Sequence, residues 1–245
     1  MVTREIAYDA DGAHMIGHYA APDRSRGRLV GILVAHAGPG LDDYGRSIAD
    51  RVAAAGYAAF ALDYHGGGTV LADMPQMMSR INGWLADPTG IRVRVAKALE
   101  VLQSQPDVDG ARIGCMGYCF GGTAVLELAR SGASIAATVG FHSGLKTARP
   151  ADAAQIKGQV LVCLGADDPL IPVAERNAFE EEMRRGGVDW QMHVYGGAQH
   201  SFTTAGIDAR AAAAGLQGMK YHAEADRCSW RAMLGTFADV FGTTT

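Results

Sequence analysis

Apolar residues recur along this chain in two rhythms, and the alternation between them predicts its architecture. The opening "REIAY" and "HMIGHYA" alternate apolar and polar positions on either side of "DADG", which predicts a hairpin. "RLVGILVAH" is almost unbroken, as a strand covered on both faces must be. "YGRSIADRVAAAG" then takes helical spacing and ends on a glycine suited to a C-terminal cap. The pattern repeats downstream. Strands are predicted at "YAAFALDY", "ARIGCM", "ASIAATVGFH", "GQVLVCLGA" and "DWQMHVYGG". Helices are predicted at "TGIRVRVAKALEVLQSQ", "GGTAVLELARSG", "VAERNAFEEEMRRGG" and "EADRCSWRAMLGTFADVFG". Such alternation implies an α/β fold: a mostly parallel sheet flanked by helices, with the antiparallel hairpin at one edge.

The least regular stretch, residues 65–88, reads as a lid or as a loop with a short helix over one end of the sheet. Met74, Met77, Met78 and Trp84 would wall an apolar pocket there, or form a satellite core under a long loop. The whole of 1–245 is taken as a single domain, a length that with 48% apolar residues buries a sizeable core.

A formal charge of −4, with both signs mixed along the chain, argues against a nucleic-acid surface. The N-terminus lacks a signal-peptide pattern, and no apolar run reaches membrane-spanning length. Cys115, Cys119, Cys163 and Cys228 have neither metal-pair nor disulfide-framework spacing. The expectation is a soluble, cytoplasmic monomer or homodimer with free thiols, no metal and no membrane partner.

Chemistry concentrates at "GYCFGG". Gly117-Tyr118-Cys119-Phe120-Gly121 fits the strand-to-helix elbow G-x-S-x-G, with cysteine as the central nucleophile. Crowding at such a turn demands small residues two before and two after the centre. Cys119 also faces the positive end of the following helix, which favours a thiolate. Cys115 and Cys163 lie inside apolar strands and Cys228 on a helix, where free cysteine is a small hydrophobe. A base is expected at His200, in the loop after "DWQMHVY", and an acid at Asp168, just past "LVCLG", with Asp167 as its rival. The order Cys119, Asp168, His200 is the nucleophile–acid–base order of this kind of sheet and implies acyl transfer. An oxyanion hole would combine the N–H of Phe120 with one from "HAGPGLDD", Gly38 being the candidate; each donor stabilises a transition state by roughly 3 kcal/mol. "GPG" there lacks the third glycine of a dinucleotide fingerprint, Asp43 standing in its place, so no cofactor is expected.

These motifs resemble the dienelactone hydrolase family of α/β-hydrolases, with "GYCFGG", "GADDPLIP" and "YGGAQHSF" in the places of nucleophile, acid and base. "YHGGG" and "YHAEADRCSW" are similar to a bacterial branch of that family. The resemblance implies hydrolysis of an enol lactone or activated ester through a thioester at Cys119. Where many members carry a glutamate that helps switch the cysteine, this chain has Ala37, preceded by His36. Where the best-known members hold a substrate carboxylate with two arginines, it has Thr204, and Arg80 a few residues out of register. Substrate contacts are assigned to His36, Arg80 and Tyr118. Two functional classes remain: a cysteine-dependent hydrolase of small carbonyl esters or lactones, and a non-catalytic binding or redox-sensing protein that retains the fold. Carbon–carbon or carbon–halogen hydrolysis is a third; halide removal favours a carboxylate nucleophile, which Cys119 is not.

Overall fold

The computed structural model describes residues 1–23 and 27–242. Eight strands among them form one sheet: β1 (Val2–Ala10), β2 (Ala13–Ala21), β3 (Leu29–Ala35), β4 (Ala58–Leu62), β5 (Val108–Tyr118), β6 (Ala137–Phe141), β7 (Gln159–Gly165) and β8 (Trp190–Tyr195). Their spatial order is β1-β2-β4-β3-β5-β6-β7-β8. The β1–β2 and β2–β4 pairs are antiparallel and every other pair is parallel. The fold is therefore the mostly parallel sheet with an antiparallel edge hairpin that the alternating pattern predicts, and it agrees with the α/β-hydrolase fold that the resemblance implies. Strand order reverses at the middle: β3 is followed by its neighbour β4 on one side, whereas β5 lies on its other side and leads away to β6. The crevice outside the carboxyl ends of β3 and β5 is thus the switch point, where open α/β sheets hold ligands.

The helices are α1 (Asp43–Ala54), α2 (Met74–Ala86), α3 (Thr89–Gln103), α4 (Phe120–Arg130), α5 (Val173–Gly186), α6 (Ile207–Ala213) and α7 (Ala223–Phe241). On one face of the sheet α1 and α7 bury Ile48, Val52, Met233 and Phe237 against Ile32, Val34 and Met116. On the other face α3 and α4 bury Val95, Leu99, Val125 and Leu128 against Leu33, Ile113 and Cys115. The period-two alternation within β5 explains the split: Cys115 looks to one layer, Met116 and Tyr118 to the other.

Residues 65–88 contain α2, a thirteen-residue helix started by Pro75 in its first turn. It buries Met77 and Ile81 in the α3–α4 core, whereas Met74 and Met78 are about 40% exposed. Of the three methionines expected to share one environment, Met77 alone belongs to the core. Residues 201–222, for which no element was predicted, contain the short α6.

Helix α4 is buried along its whole length, including Glu127 and Arg130. A charge there is stable only when paired and fully hydrogen-bonded. Arg130 meets this with a bidentate contact to Glu182 of α5 (2.7 and 2.9 Å), a bond to Glu127 (3.0 Å) and one to the Leu145 carbonyl (3.0 Å). Arg92 of α3 donates to the other oxygen of Glu127 at 2.9 Å. The network ties α3, α4 and α5 together behind the crevice.

Arg130→Met should be milder than Glu182→Ala, which leaves the guanidinium buried without its main partner. The expected loss for Glu182→Ala is about 3–5 kcal/mol, read from denaturant unfolding.

Candidate active site

Cys119 stands between the end of β5 and the first turn of α4, at φ 53° and ψ −123°. A side chain other than glycine is rarely held at positive φ, and such strain costs of order 1–3 kcal/mol. The neighbours leave the chain no alternative. A Cβ on Gly117 would fall 2.3 Å from the Gly121 backbone, and one on Gly121 would fall 2.2 Å from the His36 carbonyl oxygen. The Cys119 N–H is tied to the Phe141 carbonyl at 2.9 Å. The elbow therefore lifts a half-buried sulfur clear of the sheet, over the switch point.

Two other strand ends deliver partners to it. His200 Nε2 lies 3.2 Å from Cys119 Sγ, and His200 Nδ1 lies 2.8 Å from Asp168 Oδ2. Asp168 follows β7; its second oxygen accepts the Leu170 N–H at 2.8 Å, so both oxygens are used and the group is buried. Asp167, the rival, is exposed. The carboxylate fixes Nδ1 as the protonated nitrogen of a neutral His200 and aims Nε2 at the sulfur. The backbone N–H groups of Phe120 and Gly38 favour the charged form of the sulfur.

These surroundings set the titration of the pair. Burial alone would push the Cys119 thiol up, but the His200 charge and hydrogen bond, with the Phe120 and Gly38 N–H groups, outweigh it and lower the pKa. Burial alone would lower His200, but the Cys119 charge and the bonds to Asp168 and Cys119 raise it to about 10. The pair favours thiolate and imidazolium. Cys115 and Cys163 are the reverse case, buried thiols pushed up to about 12.

Of the three residues assigned to substrate contact, Tyr118 and His36 are buried and Arg80 is exposed. Tyr118 is a correction: it is 3% exposed, its ring stacked on Phe141 at 4.7 Å in the α1–α7 layer, because its position in β5 turns it away from the α2–α4 side. His36 is buried, stacked on Tyr64 at 3.8 Å, with Nδ1 on the Ala37 carbonyl at 2.7 Å. Arg80 is exposed on α2 and donates to the His65 carbonyl at 3.2 Å.

Three features escaped the sequence reading. His142 is buried beside His200, ring centroids 5.2 Å apart, and its Nε2 meets Thr203 Oγ1 at 2.9 Å. Burial and the neighbouring His200 charge lower its pKa. It ends β6, and nothing in "GFHSG" distinguishes it from an ordinary strand-end histidine. Asp63 is buried in the loop after β4, where its carboxylate accepts N–H groups of Ile16, His65, Gly66 and Gly68. "DYHGGG", an acid followed by a glycine run, is the signal that finds it. Third, residues 218–220 clasp His200: its N–H donates to Gly218 O at 2.9 Å and the Lys220 N–H to its carbonyl at 3.1 Å. Gly218 has no room for a side chain, since a Cβ there would fall 2.2 Å from Pro169, next to the acid.

Beside the first turns of α4 runs a narrow cleft walled by Trp84, Leu85, Ile91, Phe120 and Thr123. Its charged members are Glu127, already neutralised by two arginines, and Lys146, an exposed cation 3.4 Å from Glu175. No helix among the described residues is long and apolar enough to cross a membrane.

The sequence profile of the dienelactone hydrolase family matches residues 15–241. Among solved structures, m3DLH is 42% identical, with a TM-score of 0.93 over 98% of each chain. A dienelactone hydrolase-like promiscuous phosphotriesterase from metagenomic libraries is 39% identical, with a TM-score of 0.91 over 98% of this chain and 99% of its own. Among curated proteins, a probable 2-oxo-3-(5-oxofuran-2-ylidene)propanoate lactonase of Bradyrhizobium sp is 28% identical over 220 residues, 82% of this chain and 86% of that protein.

The electrostatics predict selective alkylation. At neutral pH iodoacetamide should modify Cys119 well before Cys115 and Cys163, and His200→Ala should move its labelling midpoint to higher pH; peptide mass spectrometry reads both.

Proposed function

This chain belongs to the dienelactone hydrolase family, and on that premise we propose that it hydrolyses small carbonyl esters or lactones by covalent catalysis at Cys119. That it is a hydrolase of dienelactone hydrolase type follows from the family; nucleophile, intermediate and substrate class are our reading. One observation carries it: sulfur, imidazole and carboxylate are in line at 3.2 and 2.8 Å, at the ends of three strands.

The steps follow from that geometry. The thiolate of Cys119 attacks the carbonyl carbon, forming a carbon–sulfur bond and placing negative charge on the carbonyl oxygen. The Phe120 and Gly38 N–H groups receive that charge, preorganised donors being worth most where charge develops. Collapse breaks the carbon–oxygen bond, and the departing alkoxide takes the Nε2 proton of His200. The thioester is left, with the alcohol free or, from a lactone, tethered to the acyl chain. Water then gives a proton to Nε2 and attacks the thioester; thiolate leaves and the acid is released. Asp168 keeps the imidazole oriented and stabilises its charged form throughout.

In the places where the resemblance to dienelactone hydrolases implies two arginines for a substrate carboxylate, this chain has Thr204 and, a few residues out of register, Arg80, which donates to a backbone carbonyl. Esters and lactones without a carboxylate are therefore the preferred class. Because a neighbour 39% identical is described as a promiscuous phosphotriesterase, a phosphotriester belongs in the same panel.

Cys119→Ala should lower kcat/KM by more than about 10³-fold on every ester the native protein turns over. Full activity in that variant would sink the mechanism, and slow thiol labelling with no ester turnover would favour a binding or sensing role instead. The pH profile should be a bell. The rate rises as pH climbs through the lowered thiol value, below the ordinary range for cysteine, because thiolate accumulates. It falls as pH nears about 10, where His200 loses the proton the leaving group needs.

A further inference from the structure

The loop after β3 carries the Gly38 N–H, one of two backbone donors that favour the Cys119 thiolate, and its carbonyls are bound in an unusual way. The Ala37 carbonyl oxygen accepts from His36 Nδ1 at 2.7 Å, from the Tyr64 hydroxyl at 2.8 Å and from the Gly40 N–H at 3.3 Å. The Tyr64 hydroxyl also reaches the His36 carbonyl at 3.1 Å. One peptide further on, His65 Nε2 holds the Gly38 carbonyl at 2.7 Å.

Ala37 C=O and Gly38 N–H belong to a single rigid plane and point to opposite sides of it. Donors that hold the oxygen therefore decide where the N–H points. We propose that Tyr64 and His36 are positioning residues, which aim the Gly38 N–H at the reacting centre by anchoring the Ala37 carbonyl behind it. This deepens the proposed hydrolytic function and rests on that reading for its effect on turnover.

The arrangement suits the task. Tyr64 and His36 are buried and their rings stack at 3.8 Å, while Tyr64 is also edge-on to Phe120 at 5.5 Å and to Trp84 at 5.7 Å. Packing thus fixes the hydroxyl and the Nδ1 hydrogen. Burial keeps both groups uncharged, lowering His36 to about 3 and raising the tyrosine well above its usual range. A neutral His36 that donates from Nδ1 has an acceptor at Nε2, and that nitrogen is buried without a partner. His36 is consequently a support for the loop and not a base for the thiol. Side chains of α2 close in on the loop at this point, since a Cβ on Gly38 would lie 3.1 Å from Ile81 and 3.2 Å from Met77.

Tyr64→Phe keeps the ring and deletes the donor. The thiolate absorbance of Cys119, titrated in the ultraviolet against a Cys119→Ala background, should shift its midpoint to higher pH, because a misaimed Gly38 N–H no longer stabilises the sulfur charge. On the best ester, kcat should fall roughly tenfold, with KM within about twofold, as expected for weakening one transition-state donor. His36→Phe should act in the same direction and carries the test if Tyr64→Phe fails to fold. A folded variant with a lowered melting temperature but an unmoved thiolate midpoint would overturn the proposal. The titration needs no substrate: a raised midpoint in a protein that turns over no ester would uphold the positioning role and discard the ester reading.

Discussion

Everything at the candidate site depends on a backbone conformation that the chain adopts only under compulsion. Cys119 is held at φ 53°, and the compulsion is steric. Gly117, Gly121 and the His36 carbonyl pack so closely that any Cβ at the two glycines would collide with backbone. The strain is met by the burial of α4 and by the bond from Cys119 N–H to Phe141. In return the sulfur stands at the positive end of a helix, clear of the sheet, at the point where strand order reverses.

Charge is handled in two different ways within a short distance. Behind the crevice, Arg130, Arg92, Glu127 and Glu182 neutralise one another with nearly every polar atom engaged, and they stabilise the helix that carries the elbow. In the crevice, Cys119, His200 and Asp168 share a proton system whose balance is moved by burial and by neighbouring charge. The loop after β3 uses neither device. His36, Tyr64 and His65 grip its carbonyls by hydrogen bonds, and burial favours their neutral forms by lowering the imidazoles and raising the phenol.

Much of the site was legible because its residues lie at punctuation marks. Glycines flank Cys119, a proline follows Asp168, and a glycine-containing loop delivers His200; each marks a strand end, where local sequence and local geometry coincide. Tyr118 shows the limit of this reasoning. Adjacent to Cys119 in sequence, it points into the opposite layer because successive residues of β5 alternate faces. His142 shows the converse, a residue with no motif of its own that packs on His200 because β6 runs between β5 and β7. For residues 65–88 the helical spacing was too brief to separate a lid from packed structure, and burial of Met77 and Ile81 is what attaches α2 to the core.

Taken alone, the sequence determined the alternation of strands and helices, the reversed edge hairpin, and the placing of Cys119, Asp168 and His200 at strand ends. These are consequences of hydrophobic period and of glycine and proline placement, which act over a few residues. Tertiary structure decided which side chains share a space: the stacking of His36 on Tyr64, the clasp of 218–220 on His200, the network around Arg130. Such contacts join residues far apart in the chain. They arise from the order in which strands pair, and no local pattern encodes that order.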